Sequence, residues 1–159
     1  MFTKNGRSLT IKGVKPICSF QQVFKSTYLF GAFAPITGDK LLIEYPNCNA
    51  DIFELFLNEL SKENPTELKI VVVDNAAFHK AKKTKIPQNI ILIFQPPYSP
   101  EVNPAERIWA WYKRDFTNKV FKSINEIVDF ITNKSQQLSP QIVKSITQYP
   151  YIFSDYWTV

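Results

Sequence analysis

The run Leu68-Lys69-Ile70-Val71-Val72-Val73, closed by Asp74-Asn75, constrains the fold more than any other stretch of this chain. Its β-branched residues are stiff about χ1 and fit a pleated surface better than a helix. The run is short and apolar, so it reads as a buried strand. Asp74 then stands at the carboxyl end of that strand, where open α/β sheets gather their ligands. A second run, Ile90 to Phe94, comes after a basic stretch that reads as a short helix or loop, and strand, crossover, strand implies parallel pairing.

Ile17 to Phe24, Thr27 to Ala34 and Leu41 to Tyr45 read as an antiparallel meander, the last two joined through the turn residues Thr37-Gly38-Asp39. Asn49 is placed to cap a helix whose apolar positions Ile52, Phe53, Phe56, Leu57 and Leu60 recur at helical spacing, and Asn64-Pro65 ends it. Gln95 to Pro104 holds four prolines and must be an irregular loop. Asn103-Pro104 supplies an N-cap and a first-turn proline for the next helix, with Ile108, Trp109, Tyr112 and Phe116 as its apolar face. Ser123 to Glu126 reads as a capping box opening a helix with Ile124, Ile127, Val128 and Ile131, and Ser139-Pro140 opens a last short one. With no internal repeat and no low-complexity linker, residues 1–159 are expected to form one α/β domain.

The charge balance, 19 Lys and Arg against 14 Asp and Glu, suits a polyanionic partner without demanding one. Cys18 and Cys48 have neither metal-ligand spacing nor the density of a disulfide scaffold, so both are read as free thiols in a reducing, intracellular compartment. No apolar run approaches the roughly 20 residues of a membrane span, and the N-terminus lacks a signal-peptide stretch. A soluble protein is expected.

Asp74 and Glu106 are the acids to which this arrangement gives a role. If one ends a strand and the other opens a helix lying across the sheet, the carboxylates converge. Mg²⁺ is held by one or two such carboxylates, with water and substrate phosphate oxygens completing its octahedron. A pair of such ions can activate the attacking oxygen and stabilise the leaving one in phosphodiester cleavage. A purely structural account stands beside this one. Asn103-x-x-Glu106 fits a capping box, and an acid at a strand end often caps the next helix through its side chain. His79, the only histidine, is either a hydrogen-bonded structural residue or a contact to phosphate or attacking water from the same rim. Lys80, Lys82, Lys83 and Lys85, with Arg107, Lys113 and Arg114 further on, either make salt-sensitive phosphate contacts beside the acids or form a solvated basic face. Trp109, Trp111 and Tyr112 could stack on bases, although helical spacing favours core packing for Trp109 and Tyr112.

Val71-Val72-Val73-Asp74-Asn75-x-x-x-His79, then Pro96-Pro97-Tyr98-Ser99-Pro100-x-x-Asn103-Pro104-x-Glu106, resembles the second and third acidic motifs of the DDE transposases of mariner-like bacterial insertion sequences. The resemblance extends through Gln22-Val-Phe-Lys-Ser-Thr-Tyr-Leu-Phe-Gly-Ala-Phe and the Ile108-Trp109 helix, and so covers nearly the whole chain. It implies a ribonuclease H-like mixed sheet flanked by helices. It also implies a metal-dependent nuclease and strand transferase, in which water hydrolyses the transposon-end phosphodiester and the freed 3′-hydroxyl attacks target DNA. On that resemblance Asp74 and Glu106 would be catalytic ligands of Mg²⁺ or Mn²⁺, with Asn75 and His79 as neighbours of the site. The expected partners are transposon-end and target DNA and a second copy or an intact transposase; the expected location is the bacterial cytoplasm, at the nucleoid when DNA is bound.

The family's pattern has a further carboxylate on the opening strand of the core, immediately upstream of the segment that Met1 to Thr10 resembles, and a helix-turn-helix module before it. Neither has a counterpart here: Asp39 lies in a Gly-Asp turn, Glu44 follows an outer strand, and Asp51 and Glu54 belong to the first helix. The expectation is a catalytic portion impaired in cleavage, with two metal ligands of three. In ribonuclease H-like sheets the opening strand separates the meander from the parallel strand bearing the second acid, so two edges should be left unpaired. Direct pairing of those edges, recruitment of residues 1–10 or a partner chain is expected to close the gap. The alternative function is a non-catalytic DNA-binding or subunit-interaction module that modulates an intact transposase.

Overall fold

The computed structural model describes residues 12, 26–76, 84–97, 99, 102–117 and 119–149. The expected strand from Ile17 to Phe24, residues 1–10, Cys18, and the basic stretch with His79, Lys80, Lys82 and Lys83 lie outside them. No helix among the described residues is long and apolar enough to cross a membrane.

Strands β1 (Tyr28–Phe33) and β2 (Lys40–Tyr45) form an antiparallel hairpin in which Tyr28 faces Tyr45 and Phe33 faces Lys40. Its turn closes through Ala34 N–H on the Asp39 carbonyl at 2.9 Å. Gly38 takes φ 83° there, and a Cβ at that position would stand 2.4 Å from the carbonyl oxygen of Pro140. Glycine is therefore required twice, for the left-handed backbone and for the approach of the last helix.

Helix α1 (Ala50–Lys62) begins where the Asn49 side chain accepts the Ile52 N–H at 2.9 Å. Its buried face, Phe53, Phe56, Leu57 and Leu60, is the apolar stripe legible in the sequence. Phe53, Leu57 and Leu60 pack with Val73 and Ile90, against which Phe30, Ala32, Leu41, Val71 and Leu92 also lie. One helix thus covers one side of both strand pairs. Strands β3 (Lys69–Val73) and β4 (Ile90–Phe94) run parallel, as the strand-crossover-strand pattern requires. Asn89 ties this layer together, accepting from Ser61 Oγ at 2.6 Å and donating to the Ser61 carbonyl at 3.1 Å.

Helices α2 (Pro104–Phe116), α3 (Ile124–Gln137) and α4 (Pro140–Thr147) build a second core around Ile108, Tyr112, Leu138 and Val143, against which Leu29, Phe33 and Leu42 of the hairpin pack. Trp109 reaches β1 because residue 31 is glycine: a Cβ there would lie 2.8 Å from the indole. Trp109 and Tyr112 are core residues, as their spacing suggests. Lys134, buried on α3, pairs with Asp115 and lies 3.5 Å over the Trp111 ring. The ion pair holds the Asp115 carboxyl below its ordinary value.

Two expectations need correction. Among the described residues the flanking strands do not pair directly: β1 bonds only β2, and β3 bonds only β4. Nor is the Leu68 to Val73 run the buried strand expected of it. Ile70 and Val72, opposite Ile91 and Ile93, are about half exposed, because α1 covers only the other face and no described element covers this one. An alternation of burial, not a continuous interior strand, is the result.

Candidate functional site

Asp74 directly follows β3 and is exposed at its carboxyl end, the position the strand pattern gives it. One carboxylate oxygen accepts the Ala76 N–H at 2.9 Å, a local turn of the kind short acids favour. Asn75 points the other way. Its amide donates to the main-chain carbonyl of Gln95, while the Gln95 N–H donates to the Val73 carbonyl at 2.9 Å. Asn75 is thus a latch between the ends of β3 and β4. It fixes the direction in which the chain leaves the sheet at Asp74. Gln95 is itself buried, and its side-chain nitrogen has no hydrogen-bond partner among the described residues.

Glu106 is exposed in the first turn of α2. Asn103 caps that helix by accepting the Ala105 N–H at 3.0 Å, and its carbonyl accepts the Glu106 N–H at 3.0 Å. The reciprocal half of a capping box is missing: the Glu106 carboxylate takes no hydrogen bond or ion pair among the described residues. Helix α3 provides the contrast. There the Glu126 N–H donates to Ser123 Oγ at 3.2 Å, and the Glu126 carboxylate turns back to accept the Lys122 N–H at 2.7 Å. Glu126 completes its helix start, whereas Glu106 is left open at the positive end of α2.

Asp74 and Glu106 line one cavity of about 1330 Å³, with Cys48 and Asn103 also on its wall. Cys48, a free and exposed thiol lining the same cavity as Asp74, has its pKa raised by burial and then by the Asp74 carboxylate. Nothing in the sequence points to that neighbour. Among the described residues no three His, Cys, Asp or Glu side chains come together as a metal-binding group.

The cations divide by position. Arg107 follows Glu106 and stacks its guanidinium 3.8 Å from the Tyr149 ring centre. Lys113 and Arg114 belong to the last turn of α2, about 10–12 Å along the axis from Glu106 at 1.5 Å per residue, and Arg114 lies 3.5 Å from Asp115. Lys85 is exposed, its main-chain N–H held by Glu54 at 2.9 Å. Of the expected phosphate contacts among the described residues, Arg107 is thus the one adjacent in sequence to Asp74 or Glu106.

Residues 3–128 match the family of DDE superfamily endonucleases. The chain is 33% identical over 103 residues to the uncharacterized protein y4pE/y4sA of Sinorhizobium fredii, an overlap covering 64% of this chain and 76% of that protein. Its fold is similar to that of the Mos1 transposase in its paired-end complex with the left transposon end, with a TM-score of 0.68 and 18% identity over 91% of this chain. The overlap takes in 47% of the Mos1 chain, so the present chain spans about half the length of that protein. At that identity the likeness is one of fold, and the ribonuclease H-like α/β arrangement expected from the motifs stands.

Proposed function

The chain belongs to the DDE superfamily endonucleases, and we propose that Asp74 and Glu106 are the carboxylates it contributes to a phosphodiester-cleaving centre acting on transposon DNA. The observation that carries this reading is the open carboxylate of Glu106. A glutamate at the third helical position would ordinarily be spent on its own helix start, as Glu126 is. Glu106 is not, and it lines the same cavity as Asp74.

Two exposed carboxylates fit a hard divalent ion such as Mg²⁺ or Mn²⁺, which accepts one or two protein carboxylates and fills its remaining positions with water and phosphate oxygens. Such an ion, when bound, would polarise the phosphate and stabilise the charge that develops on its oxygens. The protein's own part is positional. The Asn75 latch aims Asp74 out of the sheet, and the first turn of α2 presents Glu106 from the other side. In the hydrolytic step a water oxygen bonds to phosphorus as the P–O3′ bond breaks, and the water's proton ends on the departing 3′-oxygen. In the transfer step that 3′-hydroxyl bonds to a target phosphorus and a target 3′-oxygen leaves with the proton. Arg107 and Lys85, with His79, Lys80, Lys82 and Lys83 on the crossover, would hold the DNA backbone, and Lys113 and Arg114 would extend the contact along α2.

Nicking of supercoiled plasmid in Mg²⁺ or Mn²⁺, compared with Asp74→Ala and Glu106→Ala, tests the reading. Metal-dependent nicking lost in both variants supports it; nicking that ignores both substitutions contradicts it. A second reading, a subunit-interaction module, is favoured by the one-sided pairing of β1 and β3 among the described residues. Inhibition of an intact relative's transposition, unchanged in the two alanine variants, would support that one.

A further inference from the structure

We infer that Tyr149 is a positioning residue for DNA: its ring holds the Arg107 guanidinium ready to grip one backbone phosphate beside Glu106. That role rests on the proposed contact between Arg107 and the DNA backbone. Arg107 is exposed in the opening turn of α2, one place after Glu106. A cation gains nothing from the helix there, because the first turn carries the positive end of the dipole. Successive residues on a helix do not face each other, so Glu106 is not its partner. Among the described residues Arg107 makes no ion pair and no side-chain hydrogen bond. What holds it is the Tyr149 ring, whose centre lies 3.8 Å from the guanidinium carbon.

A guanidinium over an aromatic ring is held by its face, while its five N–H donors lie in its plane, where a phosphate can take two of them side by side. The ring therefore restrains a long exposed side chain without using any of its donors. Less rotamer freedom is left to lose when DNA binds. Lys134 shows the other use of such a contact. It also sits over a ring, that of Trp111, but it is buried and already paired with Asp115. The Arg107 fork is exposed and open.

Tyr149 is itself fixed from the core. Ile108, next after Arg107, shares a buried cluster with Leu138 and Val143, which docks α4 on α2. Thr147 at the end of α4 is fully buried, with its hydroxyl on the Val143 carbonyl at 2.7 Å. The Gln148 N–H is bound to the Lys144 carbonyl at 2.9 Å. The chain is thus fastened up to the residue before Tyr149, and the exit of α4 presents its ring to the start of α2.

The probe is a fluorescein-labelled DNA duplex of mixed sequence, bound by the full chain without divalent metal and followed by anisotropy over a salt series. DNA binding and metal binding then fail independently. Tyr149→Ala removes no charge, yet it should weaken binding by about fivefold and reduce the slope of log K against log salt by roughly 0.9, the share of one phosphate contact. Arg107→Gln should lower the slope equally, and adding Tyr149→Ala to it should change nothing further. Tyr149→Phe keeps the ring and should restore parental binding. Should Tyr149→Ala disturb the packing of α4, Arg107→Lys tests the fork from the other side of the contact: it keeps the charge and should weaken binding several-fold at an unchanged slope. A slope lowered by Arg107→Gln but not by Tyr149→Ala would keep the phosphate contact and overturn the role of the ring. Tighter binding by Tyr149→Ala would make the ring a cover that Arg107 must leave, and would overturn it too. So would parental binding by Arg107→Lys, or no DNA binding at all.

Discussion

The side-chain amide of Asn75 is bound to the main-chain carbonyl of Gln95, fastening the residue after Asp74 to the residue after β4. Asn75→Ala leaves that carbonyl without its donor. A loss of about 1 kcal/mol in urea unfolding is expected, a typical cost for one such bond. Asn75→Asp should behave alike, because a carboxylate has no N–H to give. Both should also weaken Mn²⁺ binding, since the direction of Asp74 is no longer fixed.

Glu106 and Glu126 occupy equivalent places in their helices and should respond differently to truncation. Glu126→Ala breaks the bond to the Lys122 N–H and should cost about 1 kcal/mol. Glu106→Ala should stay within about 0.5 kcal/mol, as expected of a side chain with no such partner. Equal losses in thermal unfolding would mean that Glu106 is a cap after all.

The buried Lys134 makes stability depend on acid. Its pairing with Asp115 holds that carboxyl below its ordinary value. A depressed carboxyl contributes stability that is fully present above its unfolded pKa and lost as the pH falls through its folded one. Urea midpoints should therefore be flat near neutrality and fall in acid, and Asp115→Asn should flatten the acid limb while costing about 1–3 kcal/mol at neutral pH. Asp115 is partly exposed, which keeps this figure below that for a fully buried pair.

Gly31 is where Trp109 meets β1. Gly31→Val should destabilise by about 1–3 kcal/mol through overpacking. Pairing it with Trp109→Ala should recover part of that loss, giving a non-additive double-mutant cycle in thermal unfolding.

What the sequence made legible was local. The caps at Asn49, Asn103 and Ser123 and the turn at Gly38 rest on signals within a few residues, the parallel β3–β4 pair on the order of two runs and their crossover, and all are present. Contacts between distant segments were not legible. Lys134 reads as an ordinary surface lysine until α2 brings Asp115 and Trp111 to it. Lys40 likewise reaches the Ser135 carbonyl at 2.7 Å across most of the chain, and desolvation there lowers its pKa. The apolar run at β3 promised a buried strand, but burial depends on what lies over each face, and no described element covers Ile70 and Val72. At the site, spacing gave the positions of Asp74 and Glu106. Only the structure could decide whether Glu106 was spent on its helix.

The most direct test of a shared divalent ion is calorimetric titration of Mn²⁺ into the chain and into Asp74→Asn, Glu106→Gln and the double variant. Each single substitution is expected to weaken binding by about tenfold, or about 1.4 kcal/mol, with the double variant losing less than the sum because one ion depends on both carboxylates. Affinity unchanged in either single variant would contradict the account.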